Sequence, residues 1–331
     1  MTGYGITLRD IYAARRRIAG AARATPLVRS FALSKLSGAD IRLKLEVMQE
    51  TGSFKFRGAL NALSLLSDEE RARGVVATST GNHGRGVAAA AEMLGIRAAI
   101  CMSSMVPQNK IDGIRAHGAE IVIHGKSQDE AEEAAERIVA EEGRVAVPPF
   151  DHAGVIAGQG TIGIELMETL PGLDAVIVPL SGGGLIAGIA LAVKTISPAT
   201  RIIGVTMDRG PAMYDSQQAG HPVAVEELPS LADALGGGIG MDNRYTFAMV
   251  RDLVDEMLLV SEREIADAMT HLYREERLVV EGSGAVGVAA LLRGMPDCAG
   301  RKVAVVVSGR NVDMDLFTRV VTGGSITVRT H

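Results

Sequence analysis

Lys55 is the residue of this chain whose type and neighbours most clearly indicate chemistry. It lies between two of only six phenylalanines, in a chain with seven lysines and 27 arginines, within the segment Gly52-Ser53-Phe54-Lys55-Phe56-Arg57-Gly58. A lysine amine among apolar rings loses its proton far more readily than a guanidinium, and only a neutral amine condenses with a carbonyl to form a Schiff base. The segment alone leaves a simpler interpretation open, in which the lysine lies on a surface helix and snorkels toward water.

A second segment has the composition of an anion-binding loop. The apolar run 173–180 reads as a short strand, is followed by Ser181-Gly182-Gly183-Gly184, and continues into a helical pattern from Leu185 to Ile196. Consecutive glycines let backbone N–H groups converge, and a helix N-terminus adds partial positive charge, so a phosphate can bind there without a basic side chain. A tight turn with no ligand is the alternative.

A third segment, the β-rich run from Lys302 to Val307, ends in Ser308-Gly309 and places one hydroxyl at the carboxyl end of a strand. The reactive amine, the phosphate loop and this isolated hydroxyl together suggest pyridoxal phosphate. The aldehyde of that cofactor would meet Lys55, its phosphate would meet the glycine loop, and its ring nitrogen would meet Ser308.

With these segments in place, the chain resembles the fold-type II pyridoxal-phosphate enzymes, in particular the serine/threonine dehydratase and serine racemase group, over nearly its whole length. The stretches that carry the resemblance are Ser53-Phe54-Lys55-Phe56-Arg57-Gly58-Ala59, Ser79-Thr80-Gly81-Asn82-His83-Gly84, Gly158-Gln159-Gly160-Thr161, Ser181-Gly182-Gly183-Gly184-Leu185 and Ser308-Gly309. Within the group it looks most like the dehydratases encoded with hydroxyectoine-utilisation genes, through the glycine loop and Ser308-Gly309-Arg310-Asn311-Val312-Asp313.

The resemblance implies a set of site residues. Lys55 is expected to be catalytic, and the cofactor-binding residues are expected to be Phe54, Lys55, Asn82, Ser181, Gly182, Gly183, Gly184, Leu185 and Ser308. The substrate carboxylate is expected at Ser79, Thr80, Gly81, Asn82 and His83. No metal site is expected, because Thr206 and Ala212 stand where the racemases hold a cation with a glutamate and an aspartate.

The implied activity is a dehydratase (ammonia-lyase) that eliminates the β-hydroxyl of a 3-hydroxy amino acid to give a 2-oxo acid and ammonia. Lys55 would remove the α-proton. Two alternatives stay open: an amino-acid racemase of the same family, and a non-catalytic amino-acid-binding protein that uses the same glycine loops. The substrate class includes threonine, serine and hydroxyectoine-derived amino acids.

Several other residues allow more than one interpretation. His83 is either a general base or a residue that shapes its loop. Glu281 either lies near the cofactor ring or is a carboxylate at a helix start. The run Gly236-Gly237-Gly238 either passes close to the cofactor or forms a plain turn. The pattern Gly84-Arg85-Gly86-Val87-Ala88-Ala89 fits a dinucleotide fingerprint, but the following segment 97–104 lacks the acidic residue that this fingerprint expects.

Composition excludes some classes of protein. The net charge of -5 with interspersed signs gives no basic face for nucleic acid. No apolar run reaches the roughly 18 residues needed to span a bilayer, and Cys101 and Cys298 are too few for a disulfide framework. These features predict a cytoplasmic enzyme, and the resemblance implies a homodimer.

Strand and helix patterns alternate along the chain, which predicts an α/β fold of two domains, each a mostly parallel twisted sheet with helices on both faces. Strands are expected at 75–80, 97–102, 120–124, 144–147 and up to Val260; helices at 84–94, 107–117, 127–142 and after Ser261. The family pattern implies a small domain of residues 51–150 inserted into a large domain of residues 1–50 and 151–331, with the small domain carrying the substrate-carboxylate loop.

Overall fold

The structure is a computed structural model that describes residues 3–79, 81–106, 108–294 and 298–324. Within these residues, a six-stranded sheet has the spatial order β1-β2-β10-β7-β8-β9. Its strands are β1 (Leu27–Arg29), β2 (Asp40–Leu45), β7 (Ala175–Pro179), β8 (Arg201–Met207), β9 (Glu256–Val260) and β10 (Lys302–Val307). Only β1 pairs antiparallel to its neighbour; the other pairs are parallel.

A four-stranded sheet of order β5-β4-β3-β6 is formed entirely by parallel pairs. Its strands are β3 (Val75–Thr78), β4 (Ala98–Met102), β5 (Glu120–Ile123) and β6 (Val145–Ala146). Because parallel strands need crossover connections, the helices between them cover the faces of the sheet. The α/β class with mostly parallel sheets, expected from the sequence, is confirmed.

Both faces of the larger sheet are buried, as the side chains of β10 illustrate. Val303, Val305 and Val307 belong to one hydrophobic cluster, whereas Ala304 and Val306 belong to a second cluster on the opposite face. Successive side chains of a strand point to opposite faces, so a strand that is apolar at every position must be covered on both sides. The run 302–307 therefore occupies the middle of the sheet and not an edge.

The helices lie close to the ranges that the sequence predicts. They are α1 (Leu8–Ile18), α2 (Phe31–Ser37), α3 (Lys55–Ser64), α4 (Asp68–Arg73), α5 (Asn82–Leu94), α6 (Gln108–Arg115), α7 (Gln128–Glu142), α8 (Ala153–Thr169), α9 (Gly184–Ile196), α10 (Ala212–Ala219), α11 (Thr246–Leu253), α12 (Glu262–Glu276), α13 (Gly282–Leu292) and α14 (Met314–Val321). The capping boxes of Ser127 with Glu130 and of Ser261 with Glu264 begin α7 and α12 as expected. Pro107, the expected first residue of α6, lies outside the described residues.

Glycines bring α8 unusually close to its two neighbours. A Cβ on Gly158 would lie 2.6 Å from the carbonyl oxygen of Arg57 in α3, and a Cβ on Gly160 would lie 2.9 Å from the carbonyl oxygen of Gly188 in α9. Real Cβ atoms do not approach backbone this closely, so only glycine permits the contact. The glycines of the Gly158–Thr161 stretch thus hold α3, which begins with Lys55, against α8 and α9. No helix of the described residues is long and apolar enough to cross a membrane.

Candidate active site

Lys55 is the first residue of α3, and its environment favours a neutral amine. Its Nζ donates a hydrogen bond of 2.7 Å to the carbonyl oxygen of Pro149 and lies 5.4 Å from the ring centroid of Phe54. Part of the side chain is exposed, but burial of the amine lowers the pKa of Lys55 to about 8. Desolvation disfavours the charged form, so a large fraction of this amine is deprotonated near pH 8. A lysine snorkelling from a surface helix, the simpler interpretation of the sequence, does not fit this geometry.

Phe150, which follows Pro149 in the chain, brings the glycine loop close to the Lys55 amine. A Cβ on Gly182 would lie 2.4 Å from the Phe150 ring, and a Cβ on Gly184 would lie 2.9 Å from the Phe150 Cα atom. Gly183 has φ +91° and is the N-cap of α9. Ser181 precedes these glycines after β7, and Leu185 packs into the core behind the loop. The loop has no room for side chains, so its backbone can face a bound anion.

Backbone pairing brings the end of β10 to the same place. Phe54 N–H donates to the Ser308 carbonyl oxygen at 3.1 Å, and Ser53 forms an antiparallel bridge with Gly309. Ser308 is buried, and the Ser53 hydroxyl is buried with no hydrogen-bond partner among the described residues. Lys55 and Ser308, which the sequence places 253 positions apart, therefore lie on adjacent paired segments.

The Ser79–His83 loop runs from β3 into the N-terminus of α5. Thr80 lies outside the described residues. Gly81 is the N-cap, and a Cβ added to it would meet nothing within 4 Å, so the loop has open space beside a helix N-terminus. That combination suits a carboxylate.

Asn82 is already engaged on both atoms of its amide. Its Nδ2 donates to Glu281 Oε1 at 2.7 Å, and its Oδ1 accepts from Asn311 Nδ2 at 2.6 Å. Glu281 is the N-cap of α13 and is 4% exposed, and burial raises its pKa to about 7. Glu281 is thus a carboxylate at a helix start that also contacts a predicted cofactor-binding residue, and its place near the cofactor ring stays a prediction.

His83 is a buried, neutral imidazole near the lysine. Its Nε2 lies 2.7 Å from the carbonyl oxygen of Val147, which only accepts, so Nε2 carries the hydrogen. Burial, followed by the charge of Lys55, lowers the pKa of His83 to about 3. A base this weak seldom takes a proton at neutral pH, and the geometry favours a loop-shaping role. Its Nδ1 has no partner among the described residues.

The glycines of the dinucleotide-like pattern serve packing. A Cβ on Gly84 would lie 2.7 Å from the carbonyl oxygen of Ser79, and one on Gly86 would lie 3.2 Å from the carbonyl carbon of Lys55. These glycines let α5 approach the end of β3 and the start of α3. By contrast, a Cβ on Gly237 would meet nothing within 4 Å, and the one contact at Gly238 is to Gly240. Open space beside these glycines fits both interpretations of the run 236–238, so its place near the cofactor stays a prediction.

A buried cluster of four charges lies beneath the start of α3. Arg57 donates through Nε to Glu46 at 2.8 Å and through Nη1 to Glu165 at 2.6 Å, and Lys44 donates to Glu165 at 2.5 Å. Arg57 also donates to the Thr161 hydroxyl at 3.1 Å. The cluster is electrically neutral and joins α3, α8 and the end of β2, so it anchors the helix that begins with Lys55.

Sequence reasoning missed several of these residues. Pro149 and Phe150 carry no local signal for their contacts, and Asn311 was named only within the motif 308–313, because each meets a partner far away along the chain. Arg57 was visible only as part of a motif. Among the described residues, no group of three or more His, Cys, Asp or Glu side chains forms a metal-binding cluster.

Comparisons with known proteins agree with this geometry. The family model "Pyridoxal-phosphate dependent enzyme" matches residues 18–309. The chain is 46% identical to the L-threonine ammonia-lyase of Thermotoga maritima over 321 residues, covering 97% of this chain and 79% of that protein. Among solved structures, maize serine racemase superposes with a TM-score of 0.91 at 35% identity, covering 97% of this chain and 98% of that one. Threonine deaminase isoform 2 of Solanum lycopersicum, in its processed form, superposes with a TM-score of 0.89 at 38% identity, covering 95% and 91%.

Proposed function

The chain belongs to the pyridoxal-phosphate dependent enzyme family, and we propose that it is a dehydratase (ammonia-lyase) acting on a β-hydroxy amino acid of the threonine and serine type. Two neighbouring contacts carry the proposal. Lys55 donates a hydrogen bond to Pro149, and the next residue, Phe150, packs against Gly182 and Gly184 of the glycine loop. Together they hold a desolvated amine next to an anion-binding loop. A relative named L-threonine ammonia-lyase supports the substrate class.

The residues present fit pyridoxal phosphate. The glycine loop has no space for a Cβ at Gly182 or Gly184, as a backbone cradle for phosphate requires. The Ser53 hydroxyl and His83 Nδ1 are buried polar atoms without partners among the described residues, and such atoms are expected where a ligand completes a site. Lys55, the glycine loop, Asn82 and Ser308 would hold the cofactor.

When bound, pyridoxal phosphate supplies an aldehyde that captures the substrate amine and an electron sink that acidifies the α-proton. Lys55, whose pKa is about 8, takes that proton at Nζ. The N-terminus of α5 binds and orients the substrate carboxylate through the Ser79–His83 loop. Ser308 offers a neutral hydroxyl, and Phe54 packs beside the lysine. The β-hydroxyl takes up a proton and leaves as water, and the enamine product, once released, tautomerises to an imine that water hydrolyses to a 2-oxo acid and ammonia.

A racemase is the second candidate, favoured by the TM-score of 0.91 against maize serine racemase. The two activities differ in what happens after proton removal. Elimination needs only the base on one face, Lys55, whereas racemisation needs a proton donor on the opposite face as well. In the racemases that the chain resembles, a serine serves the opposite face of the substrate; Thr80 stands at that position in this chain and lies outside the described residues.

The test begins with the visible spectrum of the purified protein after addition of pyridoxal phosphate. L-Threonine, L-serine, their D-forms and other β-hydroxy amino acids are then added singly while 2-oxo acid and ammonia are assayed. Equal amounts of both products from one amino acid support the dehydratase. Inversion of configuration without either product supports the racemase, and the absence of any cofactor band contradicts both.

We also infer an arrangement in which residues 51–150 form a small domain inserted into a large domain of residues 1–50 and 151–331. The four-stranded sheet drawn only from residues 75–146 supports this division. Limited proteolysis whose stable fragments end away from residues 50 and 150 would contradict it.

A cytoplasmic homodimer is the further expectation. It is supported by the family resemblance. Light scattering at micromolar concentration would give twice the monomer mass of 34.7 kDa, and a monomer would contradict the dimer. Fractionation of the source cells tests the location.

A further inference from the structure

A chain of hydrogen bonds joins segments beside the two sheets and passes through Asn82. Arg85 Nη1 donates to Asn311 Oδ1 at 3.0 Å, Asn311 Nδ2 donates to Asn82 Oδ1 at 2.6 Å, and Asn82 Nδ2 donates to Glu281 Oε1 at 2.7 Å. Asn82 and Arg85 lie three residues apart on α5, beside the smaller sheet. Asn311 follows β10, and Glu281 is the N-cap of α13; both lie beside the larger sheet.

The direction of this chain is set by the chemistry of its ends. A guanidinium only donates, so the atom of Asn311 that faces Arg85 is its oxygen. The other amide atom of Asn311 also contacts the carbonyl oxygen of Thr51 at 2.9 Å, and a carbonyl only accepts. Asn311 must therefore donate an N–H to Asn82, and Asn82 must accept it with its amide oxygen. The orientation of the Asn82 amide, which can otherwise flip, is thus determined from outside.

A fixed orientation decides what Asn82 offers to a ligand. Its Oδ1 is occupied by Asn311, and its Nδ2 carries two hydrogens, of which one is bonded to Glu281 within the described residues. The second hydrogen is the polar group left to offer. Asn82 is 8% exposed, so a flipped amide would leave buried donors and acceptors without suitable partners. Such an unsatisfied buried group costs more free energy than the original hydrogen bond contributed.

The family resemblance implies that Asn82 hydrogen-bonds the ring oxygen of the cofactor, and we propose that Asn311 and Arg85 are positioning residues that hold the Asn82 amide with its N–H toward that oxygen. This inference rests on the proposed function, because it assigns a role toward pyridoxal phosphate. A donor at that oxygen favours its ionised form and strengthens binding of the cofactor. Because the chain bridges the two sheets, this donor is in place only when α5 and the segment after β10 are held together.

The variant that tests the role is Asn311→Asp. Aspartate has nearly the same size and accepts more strongly from Arg85, but it has no hydrogen for Asn82 Oδ1 at neutral pH. Asn82 must then turn its amide or lose the bond. The chain offers a matched control in Asn61→Asp, because Asn61 also accepts from an arginine, Arg17, and donates to a carbonyl, that of Gly154.

We expect Asn311→Asp to bind pyridoxal phosphate about tenfold more weakly, the scale of one hydrogen bond to a charged group. The pH at which its visible band changes should move upward by about one unit. In the apoprotein, amides 82–86 should exchange hydrogen faster. Asn61→Asp should change none of these, although it destabilises the protein. Asn82→Ala should weaken cofactor binding too, and adding Asn311→Asp to it should have no further effect.

Unchanged cofactor affinity and an unchanged band in Asn311→Asp would overturn the inference, and so would additive effects in the double variant. Failure of the wild-type protein to take up any pyridoxal phosphate would instead overturn the proposed function. In that case, the exchange of amides 82–86 in the apoprotein still decides whether Asn311 orders the first turn of α5.

Discussion

Arg57→Met tests the buried charge cluster beneath Lys55. Arg57 is 1% exposed, and its partners Glu46 and Glu165 are 0% and 9% exposed. Burial opposes ionisation of both Arg57 and Glu46, but their mutual attraction outweighs it, so the pKa of Arg57 is raised and that of Glu46 is lowered. Arg57 and Glu46 are therefore charged, and Glu165 completes the cluster through its salt bridges with Arg57 and Lys44. Methionine removes one cation and leaves two buried carboxylates with Lys44 alone.

The magnitude follows from that imbalance. Removing one partner of a buried ion pair costs about 3–5 kcal/mol, because the remaining charge is left uncompensated. Four hydrogen bonds from Arg57 to the two carboxylates are also lost. We therefore expect the free energy of unfolding of the apoprotein to fall by about 3–5 kcal/mol. Adding Glu46→Leu restores neutrality with Lys44 and Glu165 still paired, and it should recover most of this loss.

Urea denaturation of the apoprotein, followed by circular dichroism, measures the change. Arg263→Met is the matched control, because Arg263 forms an exposed pair with Asp267 whose expected contribution is below about 1 kcal/mol. A loss of less than about 1 kcal/mol in Arg57→Met would refute the reasoning. So would a double variant with Glu46→Leu that is less stable than Arg57→Met.

Three further predictions concern the site. Lys55→Ala should take up no covalent phosphopyridoxyl group on borohydride treatment with pyridoxal phosphate, and a mass gain equal to that of the wild type would exclude Lys55. Gly184→Ala should bind the cofactor at least about tenfold more weakly, because its Cβ would lie 2.9 Å from backbone atoms of Phe150; titration of the visible band measures this, and equal affinity would argue against the cradle. Burial raises the pKa of Glu281 from 4.5 to about 7, so between these values the folded protein keeps a proton that the unfolded chain releases. The free energy of unfolding should therefore fall as the pH rises from 4.5 to 7, by at most about 3 kcal/mol. Glu281→Gln should lack this pH-dependent change in stability, whereas Glu133→Gln, at an exposed position of α7, should retain it. Identical pH profiles of the free energy of unfolding in the wild type and Glu281→Gln would contradict the shift.

Local sequence patterns predicted the parts of this protein whose causes are local. The run 303–307 is apolar at every position, and it became a strand covered on both faces. The capping boxes at Ser127 and Ser261 begin helices because both partners lie three residues apart. Lys55 was recognisable by its neighbours, and the glycine loop by its composition. The roles of the site residues and the domain boundaries remain predictions.

Tertiary structure decided the features that depend on partners far apart in the chain. The amine of Lys55 meets the carbonyl of Pro149, 94 residues away, and Asn82 meets Asn311, 229 residues away. The burial that lowers the pKa of Lys55 and the pairing that fixes the Asn82 amide come from those segments. A sequence pattern reports which groups a residue carries and its near neighbours. Desolvation and hydrogen-bond direction depend on which distant atoms replace water around it, and that is settled only when the sheets pack.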